Sequence, residues 1–364
     1  MKRIAFIKFA GLSSGGTEIS FQNVARHLSK EYEVDFFYCD SAPYIGSEWI
    51  HPDNEISRIK FIDESAVHLK KFNVEFKDIT DKFHKWVNTD FWEIFNEKNY
   101  NLIFTTSAGA PEYPITEIKN TPIINIVTVN AGVNNQENIL KTILITNESS
   151  RKWLKQGGDK KRLEVIPLLR EEVKKNNTSF RNELNLNDLF IYGFHQRTDD
   201  KIFSDIPLRA FKKIEKNNNY FLILGGSSLY SKQAEKLGIK NFKQLEESFD
   251  HLILDKFLNT LDVFTHGRKH GETMGLVIAE AMSYGLPCIS HKAESNGQKE
   301  VIDKSGKVFS KNNILFYSRE MNKLFKNKKY YKIRSENALR IYDSKYKPQE
   351  ILTKYENLVK QIIN

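Results

Sequence analysis

Short apolar runs of strand length alternate with longer stretches whose apolar residues recur at helical spacing throughout the chain. Runs over 2–9, 33–38, 58–62, 101–105, 122–129, 142–146 and 163–166 predict the strands of a first half. A helix runs from the glycine-rich turn after the first strand to about residue 30. A second half begins with a strand over 189–194. A helix over about 204–216, a strand over 220–224, another helix and a strand over 251–254 follow. This alternation predicts α/β architecture with mostly parallel sheets. The last fifty or so residues read as helical, and the final helix is expected to pack back across both halves.

The stretch 262–290, DVFTHGRKHGETMGLVIAEAMSYGLPCIS, departs from plain structural patterning. It reads as a strand, a polar loop, a helix over roughly 273–284 and a second strand. Met274, Leu276, Val277, Ile278, Ala279, Ala281 and Met282 surround that helix with apolar groups, so it should be buried. Glu280 stands in its middle, where a carboxylate demands a polar partner. Glu272 stands just before the first turn, where the helix dipole favours an anion. Gly285 and Pro287 mark the helix stop and the next strand.

Between the halves the polar stretch 171–187 is the best linker. The chain of 364 residues then divides into 1–170, 171–345 and a final helical segment 346–364. An aromatic segment with Phe83, Trp86, Phe91, Trp92 and Phe95 reads as a packed face rather than a membrane or acceptor surface.

Composition narrows the function classes. With 40% hydrophobic and 28% charged residues, and no apolar run near the roughly 20 residues of a membrane span, the chain reads as a soluble globular protein. The start MKRIAFIKFAGLSSGG has a basic end and a short apolar run, but Lys8 interrupts it and it reads as a strand rather than a signal peptide. Cys39 and Cys288 are far apart and indicate neither a disulfide framework nor a metal site; a reducing cytoplasm fits. The formal charge of +9 attracts anions: nucleotide phosphates or an anionic membrane inner face, against the plain alternative of a solvated basic surface. The basic residues are spread along the chain, not gathered on one recognition helix, so nucleic acid is not an expected partner.

Other residues carry candidate chemistry. Gly15 and Gly16, in GGTE at 15–18, form a strand-to-helix turn that lets a ligand approach the backbone, although the spacing is not a dinucleotide fingerprint. His266 and His270 flank a basic turn beside Glu272, with no third ligand at zinc spacing. Glu294 and Glu300 border the loop after 288–290. No Asp-any-Asp motif ends a strand, so no metal cofactor is expected.

The wording GETMGLVIAEAMSYGLPCIS at 271–290, with two glutamates separated by seven residues, resembles the retaining, nucleotide-sugar-dependent glycosyltransferases of family 4, within the group 1 glycosyl transferases. The Gly15-Gly16 turn and the stretches TNESSRKWLKQG at 146–157 and LEVIP at 163–167 resemble the same family in the same order. The resemblance implies a GT-B fold, two Rossmann-like domains facing each other across a cleft. It also implies transfer of a hexosyl or N-acetylhexosaminyl group from a UDP- or GDP-sugar to a carbohydrate, lipid-linked or protein-linked acceptor. The rival readings are a sugar-nucleotide epimerase, a disaccharide-phosphate synthase, and a nucleotide-sugar-binding protein without turnover.

Carried onto this sequence, the family's diphosphate-binding arginine falls on Arg197, while its lysine falls on Ile202, with Lys201 adjacent. Many members place a histidine near the reacting sugar; between Asn99 and Gln196 the only histidine here is His195, the loops 107–114 and 130–135 occupy that part of the cleft, and the contact is either replaced, with Asn130 the candidate, or absent. Glu272 and Arg197 are then the expected catalytic residues. Gly15, Gly16, Arg197, Lys201, His266, Glu272, Thr273, Met274, Gly275, Leu276 and Glu280 are the expected substrate contacts, with Glu280 on the ribose and Glu272 on the sugar. Eight helical residues rise about 12 Å, which suits the two ends of a nucleotide sugar better than the carboxylate pair of a glycosidase at about 5 to 9.5 Å. A cytoplasmic protein, peripheral at an anionic membrane face, is the matching location.

Overall fold

A computed structural model of the chain describes residues 1–8, 12, 15–39, 66–77, 85–87, 89–129, 132–171, 175–311 and 313–363. It forms two compact units, Met1–Glu171 with Pro348–Asn364, and Glu172–Lys347.

In the first unit β1 (Arg3–Lys8), β2 (Glu33–Cys39) and β3 (Val67–Phe72) precede a small antiparallel hairpin, β4 (Glu75–Lys77) with β5 (Lys85–Val87). Strands β6 (Leu102–Ser107), β7 (Ile123–Val127), β8 (Ile139–Leu144) and β9 (Leu163–Val165) follow. The sheet runs β3-β2-β1-β6-β7-β8-β9, every ladder parallel. Ile4, Ala5, Phe6 and Ile7 are all buried because both faces of a parallel sheet are covered, which is why this strand reads as a continuous apolar run. Strand β3, VHLKKF, is an edge strand with exposed lysines and carries no such run. The strand expected over 58–62 lies outside the described residues.

One face of this sheet is closed by the helix Gly16–Leu28, whose Phe21, Val24, Ala25 and Leu28 pack on Phe6, Phe36 and Phe104. Phe6 stacks on Phe104 at 4.7 Å between ring centroids. The terminal helix Pro348–Ile363 inserts Ile351, Tyr355, Leu358 and Val359 into the same cluster and so belongs to the first unit. On the other face Phe91, Phe95 and Tyr100 pack around Phe37, while Trp92 is 40% exposed. Phe83 and the Trp86 side chain lie outside the described residues.

In the second unit β10 (Phe190–Gln196), β11 (Asn219–Gly225), β12 (Phe242–Leu245) and β13 (Val263–Thr265) precede the two-residue β14 (Gly271–Glu272). Strands β15 (Cys288–His291), β16 (Ser295–Asn296) and β17 (Gly306–Phe309) complete the set. The main sheet is parallel in the order β12-β11-β10-β13-β15-β17, with β14 and β16 paired separately.

Two expectations change here. Residues 251–254 are not a strand: His251–Leu258 is a helix, started by the Asp250 side chain accepting from the Leu252 N–H, with Leu254, Phe257 and Leu258 buried at helical spacing. The strand is β12, whose sequence FKQL lacks an apolar run because it sits at the sheet edge. Most of the expected linker also joins the second unit. The Asn176 N–H donates to Asp255, the Phe180 N–H donates to Thr260, and Arg181 pairs with Asp262 at 2.7 Å. Hydrogen bonds rather than apolar burial hold this segment, so its polarity hid it. Among the described residues no helix is long and apolar enough to cross a membrane.

Candidate functional site

The second sheet changes direction at β10, which has β11 on one side and β13 on the other. Connections leaving such a strand in opposite directions open a crevice at the carboxyl ends. The segments that follow β10 and β13 meet there: the Gln196 side-chain amide donates to the Gly267 carbonyl at 3.4 Å, and the Lys269 N–H donates to the Ile202 carbonyl at 3.1 Å.

Glu272 is the centre of that meeting. Arg268 Nη1 donates to both its carboxylate oxygens, at 2.9 and 2.8 Å, and His266 Nε2 lies 3.2 Å from Oε1. His266 is fixed from behind, its Nδ1 3.0 Å from Ser290 Oγ and its N–H donating to the Ile289 carbonyl at 2.8 Å. Burial alone would raise the Glu272 carboxyl, but Arg268 and His266 outweigh it and hold the group at about 2. At neutral pH it is therefore an anion with no proton to donate. Nearby His291 is pushed down to about 4 by burial, against the pull of the Lys292 carbonyl and with the repulsion of His266, and it stays neutral against Ser204 at 2.9 Å.

The backbone of Glu272 is equally constrained. Its N–H donates to the Gln298 side-chain oxygen at 3.2 Å, and the Gln298 amide donates to the His291 carbonyl at 3.0 Å. A Cβ at Gly297 would fall 1.8 Å from the Thr273 carbonyl oxygen, so only glycine lets the helix Gly297–Ile302 close on this strand.

The glutamate helix is shorter than its apolar pattern suggests, running Leu276–Ser283 rather than 273–284. Residues 271 and 272 are drawn into pairing with β16, and Gly275, at φ 94°, turns the chain left-handed as the N-cap. Only the step from 276 to 280 is helical, a rise of about 6 Å rather than 12 Å. No side chain caps this end, so its first N–H groups are available to an anion. Met274 is 1% exposed and packs in the core, whereas Thr273 and Leu276 are half-buried. Glu280 meets His195, Nε2 to Oε2 at 3.2 Å, both side chains nearly buried.

Arg197 follows β10 directly. Its guanidinium donates to Asp199 at 2.9 Å; burial, with the repulsion of Arg268, lowers it from its ordinary value against the attraction of Asp199 and Glu272. Arg197, Arg268 and Glu272 thus form one charged group. Ile202 is 3% exposed and belongs to the core, while Lys201 stands exposed on the short turn Asp200–Ile202. His270 also lies outward, 3.1 Å from Glu294, and Glu300 sits in the first turn of Gly297–Ile302.

Gly15 and Gly16 belong to the first unit, as N-cap and first residue of the helix Gly16–Leu28. Below them Lys8 pairs with Glu18 at 3.1 Å, both buried. Asn130 lies outside the described residues. In the loop after β6 the Ala108 N–H donates to Glu112 at 2.8 Å, yet burial outweighs that bond and the attraction of Lys8 and pushes the Glu112 carboxyl up to about 7. The folded chain therefore holds this proton more tightly than the unfolded chain, and stability falls as pH rises from about 4.5 to about 7. Glu112→Gln is expected to be the more stable protein at pH 8, by on the order of 1–2 kcal/mol for a part-exposed group, and to match the parent below pH 4.5. Denaturant unfolding across pH 4–8 measures this; parallel curves would contradict it.

Arg268, His195 and Gln298 are the members of the constellation that motif reading left out. Arg268 was visible as the cation four residues before Glu272, whereas His195 and Gln298 have no sequence signal, because strand order alone brings them in.

Residues 175–340 match the family described as Glycosyl transferases group 1. Among curated proteins no sequence matches the chain. Solved structures share the fold at low identity. HepE of Anabaena in complex with UDP superposes with a TM-score of 0.74 at 15% identity, over 99% of this chain and 100% of that one. A glycosyltransferase from Rickettsia africae gives 0.74 at 15%, over 100% and 99%. Sucrose-phosphate synthase from Thermosynechococcus elongatus gives 0.68 at 14%, over 99% of each. The architecture is the GT-B fold of two Rossmann-like domains. The match to the group 1 glycosyl transferases lies within the second unit.

Proposed function

We propose that the protein is a retaining, metal-independent glycosyltransferase that moves a hexosyl or N-acetylhexosaminyl group from a UDP- or GDP-sugar to a hydroxyl of a carbohydrate, lipid-linked or protein-linked acceptor. The observation that carries the reading is the charged group at the β10/β13 crevice: Arg197, Arg268 and an obligately anionic Glu272, beside an uncapped helix N-terminus. In glycosyl transfer negative charge grows on the departing diphosphate and positive charge at the anomeric carbon. Arg197 and the N–H groups after Gly275 would receive the first, doing what a metal otherwise does. Glu272, held anionic, would face the second and bind sugar hydroxyls. Gly15 and Gly16 would add backbone donors, Lys201 a mobile cation and His266 a contact to the sugar. Thr273, Gly275 and Leu276 would offer backbone to the donor, while Met274 supports them from the core.

A panel of UDP- and GDP-sugars, scored by thermal shift and by slow hydrolysis without acceptor, tests the donor class. HepE, solved with UDP and with UDP-glucose, makes the UDP set the first to try. No response to any donor would overturn the reading. A donor-dependent product of retained configuration, formed in excess chelator, would support the mechanism. The proposed site of action is cytoplasmic, with the +9 charge favouring peripheral attachment to anionic lipid, and such attachment should weaken as salt rises.

Glu280→Gln is expected to weaken UDP binding about tenfold, because a charge-assisted hydrogen bond to the ribose becomes a neutral one. Isothermal titration of UDP into parent and variant checks this, and equal affinities would remove Glu280 from the donor site.

A further inference from the structure

The carboxylate of Glu280 sits in the middle of an otherwise apolar helix, and the group that meets it comes from a different element. His195 is the penultimate residue of β10, its backbone in register with Leu224 of β11. Its ring lies edge-on between Phe257 and Phe264, with centroid distances of 6.3 Å and 5.8 Å respectively. Its Nε2 reaches Glu280 Oε2 at 3.2 Å, with 11% and 10% of the two side chains exposed. That nitrogen is buried, and its approach to the carboxylate is off the line of a good hydrogen bond. A contact of this kind constrains where the carboxylate points.

We propose that His195 is a positioning residue for the donor nucleotide: it orients the Glu280 carboxylate so that the oxygen turned away from the ring accepts the ribose hydroxyls. The inference rests on the reading of the site as a nucleotide-sugar site and deepens it, because it adds the residue that makes Glu280 selective for a ribose over a deoxyribose. A bidentate acceptor must be held in one rotamer to take two vicinal hydroxyls. Glu280 has three side-chain torsions to fix, and the helix backbone narrows only the first of them. A carboxylate near an imidazole in a dry setting is held more firmly than one in water. A structural role for His195 would affect folding alone, whereas a positioning role affects discrimination between ligands that differ by one hydroxyl.

The test is titration calorimetry of the full chain with UDP and 2′-deoxy-UDP, and with GDP and 2′-deoxy-GDP if the guanine nucleotide binds better. The parent should prefer the ribonucleotide by about tenfold, the worth of one charge-assisted hydrogen bond, and Glu280→Gln should shrink that ratio. His195→Phe keeps the ring packing against Phe257 and Phe264 and removes the nitrogens. It should lower affinity for the ribonucleotide about fivefold or more, leave the deoxynucleotide affinity nearly unchanged, and bring the ratio within about threefold. His195→Gln, whose amide restores a donor, should keep most of the ratio, whereas His195→Leu, which removes the nitrogens without a ring, should lose it as the phenylalanine variant does and stands in if that protein folds poorly. A parent that discriminates together with a folded His195→Phe protein, or His195→Leu in its place, that keeps the full ratio would overturn the assignment of His195 and leave the donor site standing. A parent that binds neither UDP nor GDP would overturn both.

Discussion

Replacing Glu272 by glutamine should lower kcat by about 10³-fold while nucleotide affinity changes only a few-fold. Glutamine keeps the shape and removes the charge. Preorganised charge facing the reacting centre contributes on the order of 2.7–4 kcal/mol to the transition state, and little of this is felt by the bound nucleotide. The variant also leaves Arg268 and His266 facing a neutral amide, so stability must be measured beside activity. The folded-state value of about 2 lies below the ordinary 4.5 of a glutamate. The ionised group therefore stabilises the fold fully above about pH 4.5, and that contribution is lost as pH falls toward 2. Its size is on the order of 3 kcal/mol at pH 7, so the glutamine protein should unfold earlier at pH 7 and show a flatter acid limb. Steady-state kinetics at a temperature where both proteins are folded, with unfolding curves from pH 2 to 7, separates the two effects. A kcat within tenfold of the parent would remove Glu272 from the chemistry and leave it the anchor of the Arg268 turn.

Arg197→Ala is expected to lower kcat by about 10²-fold and to raise the donor KM less. Burial and the nearby Arg268 make the guanidinium an expensive cation to keep, with Asp199 and Glu272 as its compensating anions. A diphosphate entering beside it relieves that cost, and the relief grows as the leaving group gains charge, which is the condition for a transition-state effect. Arg197→Lys keeps the charge but not the planar fork, and should recover part of the loss. Product formation at saturating donor checks the order parent, lysine, alanine. Equal kcat for parent and alanine variant would transfer the diphosphate to other cations, Lys201 first.

Much of this was legible in the sequence, for local reasons. Alternating strand and helix periods sufficed for two parallel α/β units, because both sheets are buried on both faces and their central strands must be continuously apolar. Edge strands escaped the same reasoning. VHLKKF and FKQL carry lysines because one side of each strand is unpaired, and HLIL, with three apolar residues in a row, fits a buried helix turn as well as a strand. The motif at 271–290 was enough to single out Glu272 and Glu280, but their surroundings were not contained in it. The left-handed Gly275 and the pairing of β14 with β16 moved the helix start by three residues, and neither follows from an apolar count.

By itself, then, the sequence determined the two-unit α/β class and the existence of a helix carrying Glu280, and through a family resemblance it proposed Arg197 as a cation and Ile202 in the place of a lysine. These are properties of residues near one another in the chain, governed by backbone period, glycine and proline stops and local charge. Only the tertiary structure decided that Gln298 holds the backbone of Glu272, that His195 stands against Glu280, and that the last helix completes the core of the first unit. Each of these depends on which strands become neighbours and which helix covers which face. That is settled by burial and long-range pairing summed over the whole chain, so no local window of sequence contains it.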